Sequence, residues 1–205
     1  MNSRDAHAEL RACIRETSCD PNKICAVLEA VSAADRVEVV RGLRGRELRR
    51  LYRAVDGFRP VRLTDLVPPG VPALTPVRHD GKNSMPAFTW FEKRFARLPD
   101  ADPRAPGELC GANFQTLSPI TGPGYFVALE DSPRGEVVLD YTRLPPEVPE
   151  GWKPIRDNQH GLAWLFYGPL RDTLRRVSEH VTVGVATRYG REISWFALCR
   201  QDPLP

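Results

Sequence analysis

The chain lacks the short motifs that mark the commonest enzyme and metal-binding classes. No serine stands in G-x-S-x-G, no CxxC pair occurs, and no two of the four histidines lie at i, i+4 or in an HxH pair. Gly81-Lys82 is not a phosphate-binding loop, because Asn83 follows it and Pro76 stands where the first glycine is required. These absences predict no catalytic residue, no metal site and no cofactor, and they make an enzyme the least favoured function.

Long apolar runs and paired cysteines are also missing. No run approaches the roughly 18 to 20 apolar residues that cross a bilayer, and the N-terminal MNSRDAHAEL lacks the apolar core of a secretory signal. An odd number of cysteines argues against a disulfide framework. We therefore expect a cytoplasmic protein with no membrane partner, and buried structural thiols rather than zinc ligands. The cysteines are Cys13, Cys19, Cys25, Cys110 and Cys199.

The chain does contain enough apolar sequence to build a core. Its hydrophobic fraction is 41% and its charged fraction 27%, which is typical of globular proteins. The formal net charge of +3 is too small to favour nucleic acid by itself. The composition therefore predicts a folded protein, does not favour a nucleic-acid partner, and leaves the oligomeric state open.

The first 57 residues have the pattern of short amphipathic helices. Only one of the twenty prolines, Pro21, lies in this part. Asp20 before Pro21, and Ser32, are typical helix-capping residues. Apolar residues recur at i, i+3, i+4 and i+7. We predict a helical N-terminal region over residues 1–57. Its apolar faces are formed by Leu10, Cys13 and Ile14, by Ile24, Val27, Leu28 and Val31, and by Leu48, Leu51, Tyr52 and Val55.

The remainder of the chain divides into two predicted parts. Residues 58–85 contain five prolines in their first nineteen positions, which excludes a regular helix and predicts an extended segment anchored by Leu63, Leu66 and Val67. Residues 86–205 are predicted to form an antiparallel β-rich domain. The fold class is α+β, with the helical region packed on a curved, mostly antiparallel sheet or barrel.

Five stretches of sequence carry the prediction for the β-rich part. GYFVALE and EVVLDY predict a hairpin through a turn at SPRG, residues 132–135. Residues 181–199 predict a second hairpin, which turns near Tyr189 and Gly190. GLAWLFY, residues 161–167, predicts a buried strand. PLRDTLRRVSEH, residues 169–180, predicts a short helix with Leu170, Leu174 and Val177 on one face and Asp172 in its first turn.

The segment RHDGKNSMPAFTWFEKRF, residues 78–95, is dense in both charge and aromatics. Its DGKN predicts a turn, since these residues tolerate turn conformations. Phe88, Phe91 and Phe95 fit one face of a helix, and almost as well a strand with Trp90 on the opposite side. Both alternatives place the phenylalanines in a core or pocket.

Two segments resemble the GXWXG-type lipocalin-like proteins. WFEKRF resembles that family's Trp-x-Gly-Lys-x-Phe strand, and residues 167–200 resemble its Tyr-Asp-x-x-Pro-x-x-Asp-x-Phe-Arg segment with the Val-x-Gly hairpin that follows. The first G-x-W-x-G strand is absent, Glu92 replaces a glycine, and Leu174 replaces an aromatic residue. The resemblance covers at most the last 120 residues and implies a lipocalin-like barrel that binds an apolar ligand. The matching positions are Trp90, Lys93, Phe95, Tyr167, Pro169, Asp172, Arg175, Val183, Gly184, Phe196, Leu198 and Arg200.

Two functional hypotheses follow. The aromatic residues of the predicted strands favour non-enzymatic binding of a small apolar or aromatic molecule in a barrel-like cavity, although the same residues would also suit an ordinary core. The alternative is an interaction module that binds a partner protein or nucleic acid through the arginine-rich helices, where RGLRGRELRRLYR carries six arginines. The predicted ligand-binding residues are Phe88, Trp90, Phe95, Tyr125, Tyr141, Trp164, Phe166 and Trp195.

Overall fold

The computed structural model describes residues 1–86, 89–114, 124–155 and 169–205. Within these ranges, five helices precede eight strands. The helices are α1 (Ser3–Arg15), α2 (Pro21–Glu29), α3 (Ala33–Arg41), α4 (Gly45–Ala54) and α5 (Leu63–Leu66). The strands are β1 (Val77–Asn83), β2 (Trp90–Arg97), β3 (Leu109–Phe114), β4 (Tyr125–Asp131), β5 (Glu136–Asp140), β6 (Leu170–Arg176), β7 (Val181–Arg188) and β8 (Arg191–Arg200).

The eight strands form a closed antiparallel barrel. Each strand pairs with the next one along the chain, and β1 pairs with β8 to close the ring. Side chains alternate between the two faces of a strand, so every second residue faces the interior. The α+β class with a helical region and a barrel is therefore confirmed.

None of the helices in the described ranges combines the length and the apolar character needed to span a membrane.

Phenylalanine rings lie inside the barrel above glycines of neighbouring strands. A Cβ atom on Gly111 would lie 2.2 Å from the ring of Phe126, and one on Gly184 would lie 2.4 Å from the ring of Phe196. Gly81 on β1 is covered in the same way by a ring of β2, at 2.6 Å. Because these separations are far below van der Waals contact, the close approach of ring and backbone requires glycine.

Helices α1 to α4 cover the outside of β7 and β8. The apolar faces predicted for the helices are buried, and they form one cluster with the outward-facing side chains of the two strands. Asp20 and Ser32 cap α2 and α3 as predicted, through bonds from the backbone N–H groups of Asn22 and Asp35. The strand residues in this cluster are Val181, Val183, Val185, Ala197 and Cys199.

Residues 61–71, which include α5, close the end of the barrel where β1 begins. The three predicted anchors are buried and join the interior cluster, together with Val61 and Val71. Three backbone carbonyls of the segment also accept hydrogen bonds from side chains of the strands. These bonds join His79 Nε2 to Leu66 at 3.1 Å, Arg97 Nη2 to Val71 at 2.8 Å, and Arg200 Nη1 to Asp65 at 2.6 Å.

A buried carboxylate, that of Glu47, joins α1 to α4. Its Oε1 accepts hydrogen bonds from Arg11 Nε at 2.7 Å and Arg15 Nη2 at 2.8 Å, and its Oε2 accepts from the backbone N–H of Arg44 at 2.9 Å. Burial raises the pKa of Glu47, but the Arg44 N–H and the two guanidinium groups outweigh burial, so its pKa is lowered.

We expect Glu47→Gln to lower the free energy of unfolding by about 2 kcal/mol at pH 7, since it weakens the charge-assisted hydrogen bonds of a buried carboxylate. A lowered pKa in the folded state means that this stabilisation is complete above the unfolded pKa of about 4.3 and is lost as the pH falls from there through the folded pKa. Urea unfolding at pH 7 and pH 3.5 tests this, because the difference in stability between the two proteins should be smaller at the lower pH. A gap of the same size at both values would contradict the assignment.

The helix predicted over residues 169–180 is wrong, because this segment contains strand β6. Leu170 and Leu174 satisfy the i, i+4 spacing of a helix, but residues four apart also share one face of a strand. Asp172, predicted in the first turn of the helix, instead lies between these two leucines on the same inward face of the strand. Arg171 and Thr173, which alternate with these residues along the strand, lie on the outward face.

Other local predictions have mixed outcomes. The turn predicted at Asp80–Asn83 is wrong, because these residues lie inside β1. The strand alternative for the 78–95 segment is confirmed by β2. Both predicted hairpins are confirmed, as β4–β5 and β7–β8. The predicted strand at residues 161–167 lies outside the described residues. The division of the chain at residues 57 and 85 remains a prediction, although β1 lies within the middle part.

Candidate functional site

Four buried polar side chains form a hydrogen-bonded cluster inside the barrel, which we call the lumen cluster. Lys93 Nζ donates to Asn113 Oδ1 at 2.7 Å and to Tyr141 Oη at 2.5 Å, and lies 2.9 Å from Asp172 Oδ2. Tyr141 Oη donates to the same carboxylate oxygen at 3.0 Å and accepts from Asn113 Nδ2 at 2.9 Å. Each of the four residues is less than 5% exposed. The cluster therefore connects every member to at least two others.

Strand register explains why these residues meet. Lys93 on β2 lies directly opposite Asn113 on β3 in the ladder. Asp172 lies on β6, which is four strands from β2 around the eight-stranded ring, and Tyr141 directly follows β5. The Lys93–Asp172 pair therefore crosses the lumen. It lies near the end of the barrel opposite α5.

Aromatic rings surround the ammonium group of Lys93. Its Nζ lies 5.2 to 5.5 Å from the ring centroids of Phe91, Phe126, Tyr141 and Phe196. Such distances permit cation–π attraction to each ring face. The cluster is therefore a polar centre within an aromatic interior, the composition that small-molecule sites commonly have.

Burial governs the electrostatics of the cluster. It lowers the pKa of Lys93, because the charged ammonium loses its hydration, while the charge and hydrogen bond of Asp172 oppose this shift. An isolated buried charge would be far more costly than a paired one. The pair is thus tolerated in the interior because the two charges and two neutral partners satisfy one another.

A second buried ionisable group, His79, lies toward the closed end of the barrel. Its ring packs edge-on against Phe95 with centroids 4.8 Å apart. Burial lowers the pKa of His79 from 6.5 to about 3. The hydrogen bond to the Leu66 carbonyl opposes this shift, and the positive charge of Arg200 adds to it. Nε2 must carry the proton of the neutral ring, since it bonds to a carbonyl. His79 therefore fastens β1 to the segment that closes the barrel.

The structure places the predicted ligand-binding residues in different surroundings. Phe95 and Tyr141 lie in the barrel interior. Three others lie on the outward faces of their strands. Trp90 is 65% exposed, Tyr125 stacks against Trp152, and Trp195 lies under the guanidinium group of Arg49. Phe88, Trp164 and Phe166 lie outside the described residues. Ligand binding by all eight remains a prediction.

Sequence reasoning missed the lumen cluster as a unit. Lys93, Asn113 and Asp172 were not proposed as site residues, because a single lysine or aspartate gives no motif. One signal was present for Lys93: it alternates with Phe91 and Phe95, so a strand that buries these rings must also bury the lysine.

One group in the described ranges has metal-ligating atoms close together. Donor atoms of Glu29, Glu179 and His180 lie within 4.8 Å of one another. However, Glu29 Oε1 already accepts the backbone N–H of Glu179 at 2.6 Å, and His180 Nδ1 lies 3.3 Å from Arg200 Nη2. These protein contacts account for the arrangement, and we assign no metal to it.

The cysteines are free thiols. Four are buried and Cys19 is half-buried, so their predicted interior placement is confirmed for Cys13, Cys25, Cys110 and Cys199.

The fold and the lumen cluster define a closed eight-stranded antiparallel barrel with a helical cover, an architecture consistent with a lipocalin-like fold. Comparisons of the chain with protein-family models, with curated proteins and with solved structures gave no match.

Proposed function

We propose that the barrel binds a small molecule with an apolar or aromatic body and an uncharged polar group, such as a carbonyl or hydroxyl, that reaches the lumen cluster. The observation that carries this proposal is the buried Lys93–Asp172 pair, held by Asn113 and Tyr141 inside an aromatic interior. We propose a non-enzymatic role, and a cytoplasmic location remains the expectation.

The energetics of buried ion pairs support a functional rather than a structural origin for the cluster. Replacing such a pair by apolar side chains of similar volume is often neutral or even stabilising. Eight-stranded barrels of this kind fill their interior with side chains or hold one small ligand. A buried polar cluster that apolar side chains of similar volume could replace is therefore a candidate recognition element.

The chemistry of the lumen indicates which ligand would fit. Lys93 and Asp172 carry no net charge together, so an anionic group on Lys93 would leave the aspartate without its partner. An uncharged carbonyl or hydroxyl would accept or donate a hydrogen bond while leaving the pair intact. The rings of Phe91, Phe126 and Phe196 would contact the apolar body.

The resemblance to GXWXG-type lipocalin-like proteins also supports this proposal. Lys93 and Asp172 are two of the positions on which that resemblance rests, and their side chains meet in the lumen at 2.9 Å. We propose kinship with that family on this basis, with apolar ligand binding as its implied function.

A matched pair of ligands tests the proposal. We expect the fluorescent probe N-phenyl-1-naphthylamine to bind saturably at one site per chain. We expect 2-acetylnaphthalene to displace it at about tenfold lower concentration than 2-ethylnaphthalene, because only the ketone bonds to the cluster. The double variant Lys93→Met/Asp172→Leu should bind both competitors about equally.

Two glycine variants provide the control. Gly184→Val should abolish probe binding, since its Cβ would lie 2.4 Å from the Phe196 ring and push that ring into the lumen. Gly107→Val should bind normally, because no atom lies within 4 Å of an added Cβ there. The absence of saturable binding to the native protein, or equal loss in both folded variants, would overturn the proposal.

A further inference from the structure

A separate concavity lies outside the barrel, between α1 and α4. Its volume is about 690 Å³, which is within the range of small-molecule sites. Apart from Gly45, every lining residue is charged: Arg15, Arg44, Arg46, Glu47 and Arg50. Four arginines and one glutamate give this small space a formal charge of +3, as large as the net charge of the whole chain.

Helix geometry explains why the arginines converge. The buried face of α4 is formed by Glu47, Leu48, Leu51 and Tyr52, which pack toward α1 and the barrel. Exposed Arg46 and Arg50 are four residues apart and therefore neighbours on the helix surface. Like charges at this spacing destabilise a helix by a few tenths of a kcal/mol. The placement of these two arginines side by side at the concavity therefore does not stabilise the helix itself.

Glu47 does not neutralise Arg44, Arg46 and Arg50, which also line the concavity. Its carboxylate oxygens are occupied by Arg11, Arg15 and the backbone N–H of Arg44. Among the described residues, the guanidinium groups of Arg44, Arg46 and Arg50 have no ion-pair partner within 4 Å. Glu47 thus fixes the position of Arg15 at the concavity and leaves three side chains available to an external anion.

We propose that this concavity binds a small molecule that carries two or more linked phosphate groups. Guanidinium groups present parallel N–H donors that match two oxygens of a phosphate, and several of them together suit a multiply charged anion. The site is independent of the barrel lumen and of the ligand proposed for it.

The surrounding charges favour a compact anion over a nucleic acid. The first 57 residues contain eleven basic and nine acidic residues, so the helical region as a whole is almost balanced. Nucleic acid requires a basic stripe that follows a long phosphate backbone. Here Arg44, Arg46 and Arg50 line one concavity, which suits a short polyphosphate.

Isothermal titration calorimetry with sodium tripolyphosphate, in 50 mM and 200 mM sodium chloride, tests the proposal. We expect saturable binding at one site per chain that weakens as salt rises. Arg46→Gln/Arg50→Gln should weaken it by about tenfold or more, because it removes two charge-assisted contacts. The control Arg4→Gln/Arg53→Gln removes two exposed arginines of the same helices outside the concavity, and should change the affinity by about twofold or less.

Thermal unfolding of both double variants verifies that each remains folded, as changes on a solvated face usually allow. Three results would each overturn the proposal. They are the absence of tripolyphosphate binding at 50 mM salt, equal weakening by the two double variants, and tighter binding of single-stranded or duplex DNA that both variants reduce. The last result would assign the surface to nucleic acid instead.

Discussion

Asp172→Leu is expected to lower the free energy of unfolding by about 3 to 5 kcal/mol, because it leaves the buried ammonium of Lys93 without its counter-charge. Lys93→Met should lower the free energy of unfolding by a similar amount, since it leaves the carboxylate of Asp172 buried without its counter-charge. The double variant Lys93→Met/Asp172→Leu should lie within about 1 kcal/mol of the native protein, because apolar side chains then replace both charges. Urea unfolding at pH 7 of the four proteins gives the coupling energy directly.

Lys82→Met provides a matched control for this cycle. Lys82 lies on the opposite face of β1 from the lumen and is half-buried, so its loss should change the stability by about 0.5 kcal/mol or less. If the double variant instead loses as much as the two single variants together, the two charges are not coupled. A near-neutral double variant would mean that stability alone does not require the pair, in agreement with a role in ligand recognition.

The helical region was predictable because its signals are local. Asp20 before Pro21 determines where α2 begins, and the spacing of Leu48 and Leu51 identifies the buried face of α4. The β4–β5 hairpin has an equally local signal, because Pro133 and Gly135 occupy their favoured turn positions.

Strand β6 and the lumen cluster depend on distant parts of the chain. Leu170 and Leu174 fit helix and strand equally well, and only pairing with β5 and β7 decides between the two. The meeting of Lys93 with Asp172 requires closure of the ring and a particular register, since a shift of one residue would turn either side chain outward. No pattern in the neighbouring sequence encodes that register.

The concavity lined by the arginines of α4 also could not be predicted from the neighbouring sequence. Their number was evident in the sequence, where it gave the hypothesis of an interaction module. The concavity depends on how α1 packs against α4, with Glu47 between them. A glutamate within the arginine run, Glu47, was the one available signal, but its burial and its bonds to Arg11 and Arg15 depend on the packing of α1.

Acid should destabilise the protein through His79. The pKa of this ring is about 3 in the folded state and 6.5 when unperturbed, so the unfolded chain binds the extra proton between these values. The stabilisation that depends on a neutral His79 is complete above pH 6.5 and is lost as the pH falls toward 3. At about 1.36 kcal/mol per pH unit, the loss approaches about 4 to 5 kcal/mol over this range.

We expect His79→Gln to remove this part of the pH dependence, because glutamine can donate to the Leu66 carbonyl but does not titrate. Between pH 6.5 and 4, the free energy of unfolding should therefore fall less steeply in the variant than in the native protein. The difference in slope should correspond to about one proton bound per molecule on unfolding. Val137→Ala is the control: it removes part of a buried interior side chain, and should lower the whole curve without changing its slope. Parallel curves for the native protein and His79→Gln, or an NMR titration of the folded His79 ring near pH 6.5, would contradict a buried neutral imidazole that fastens β1 to the closing segment.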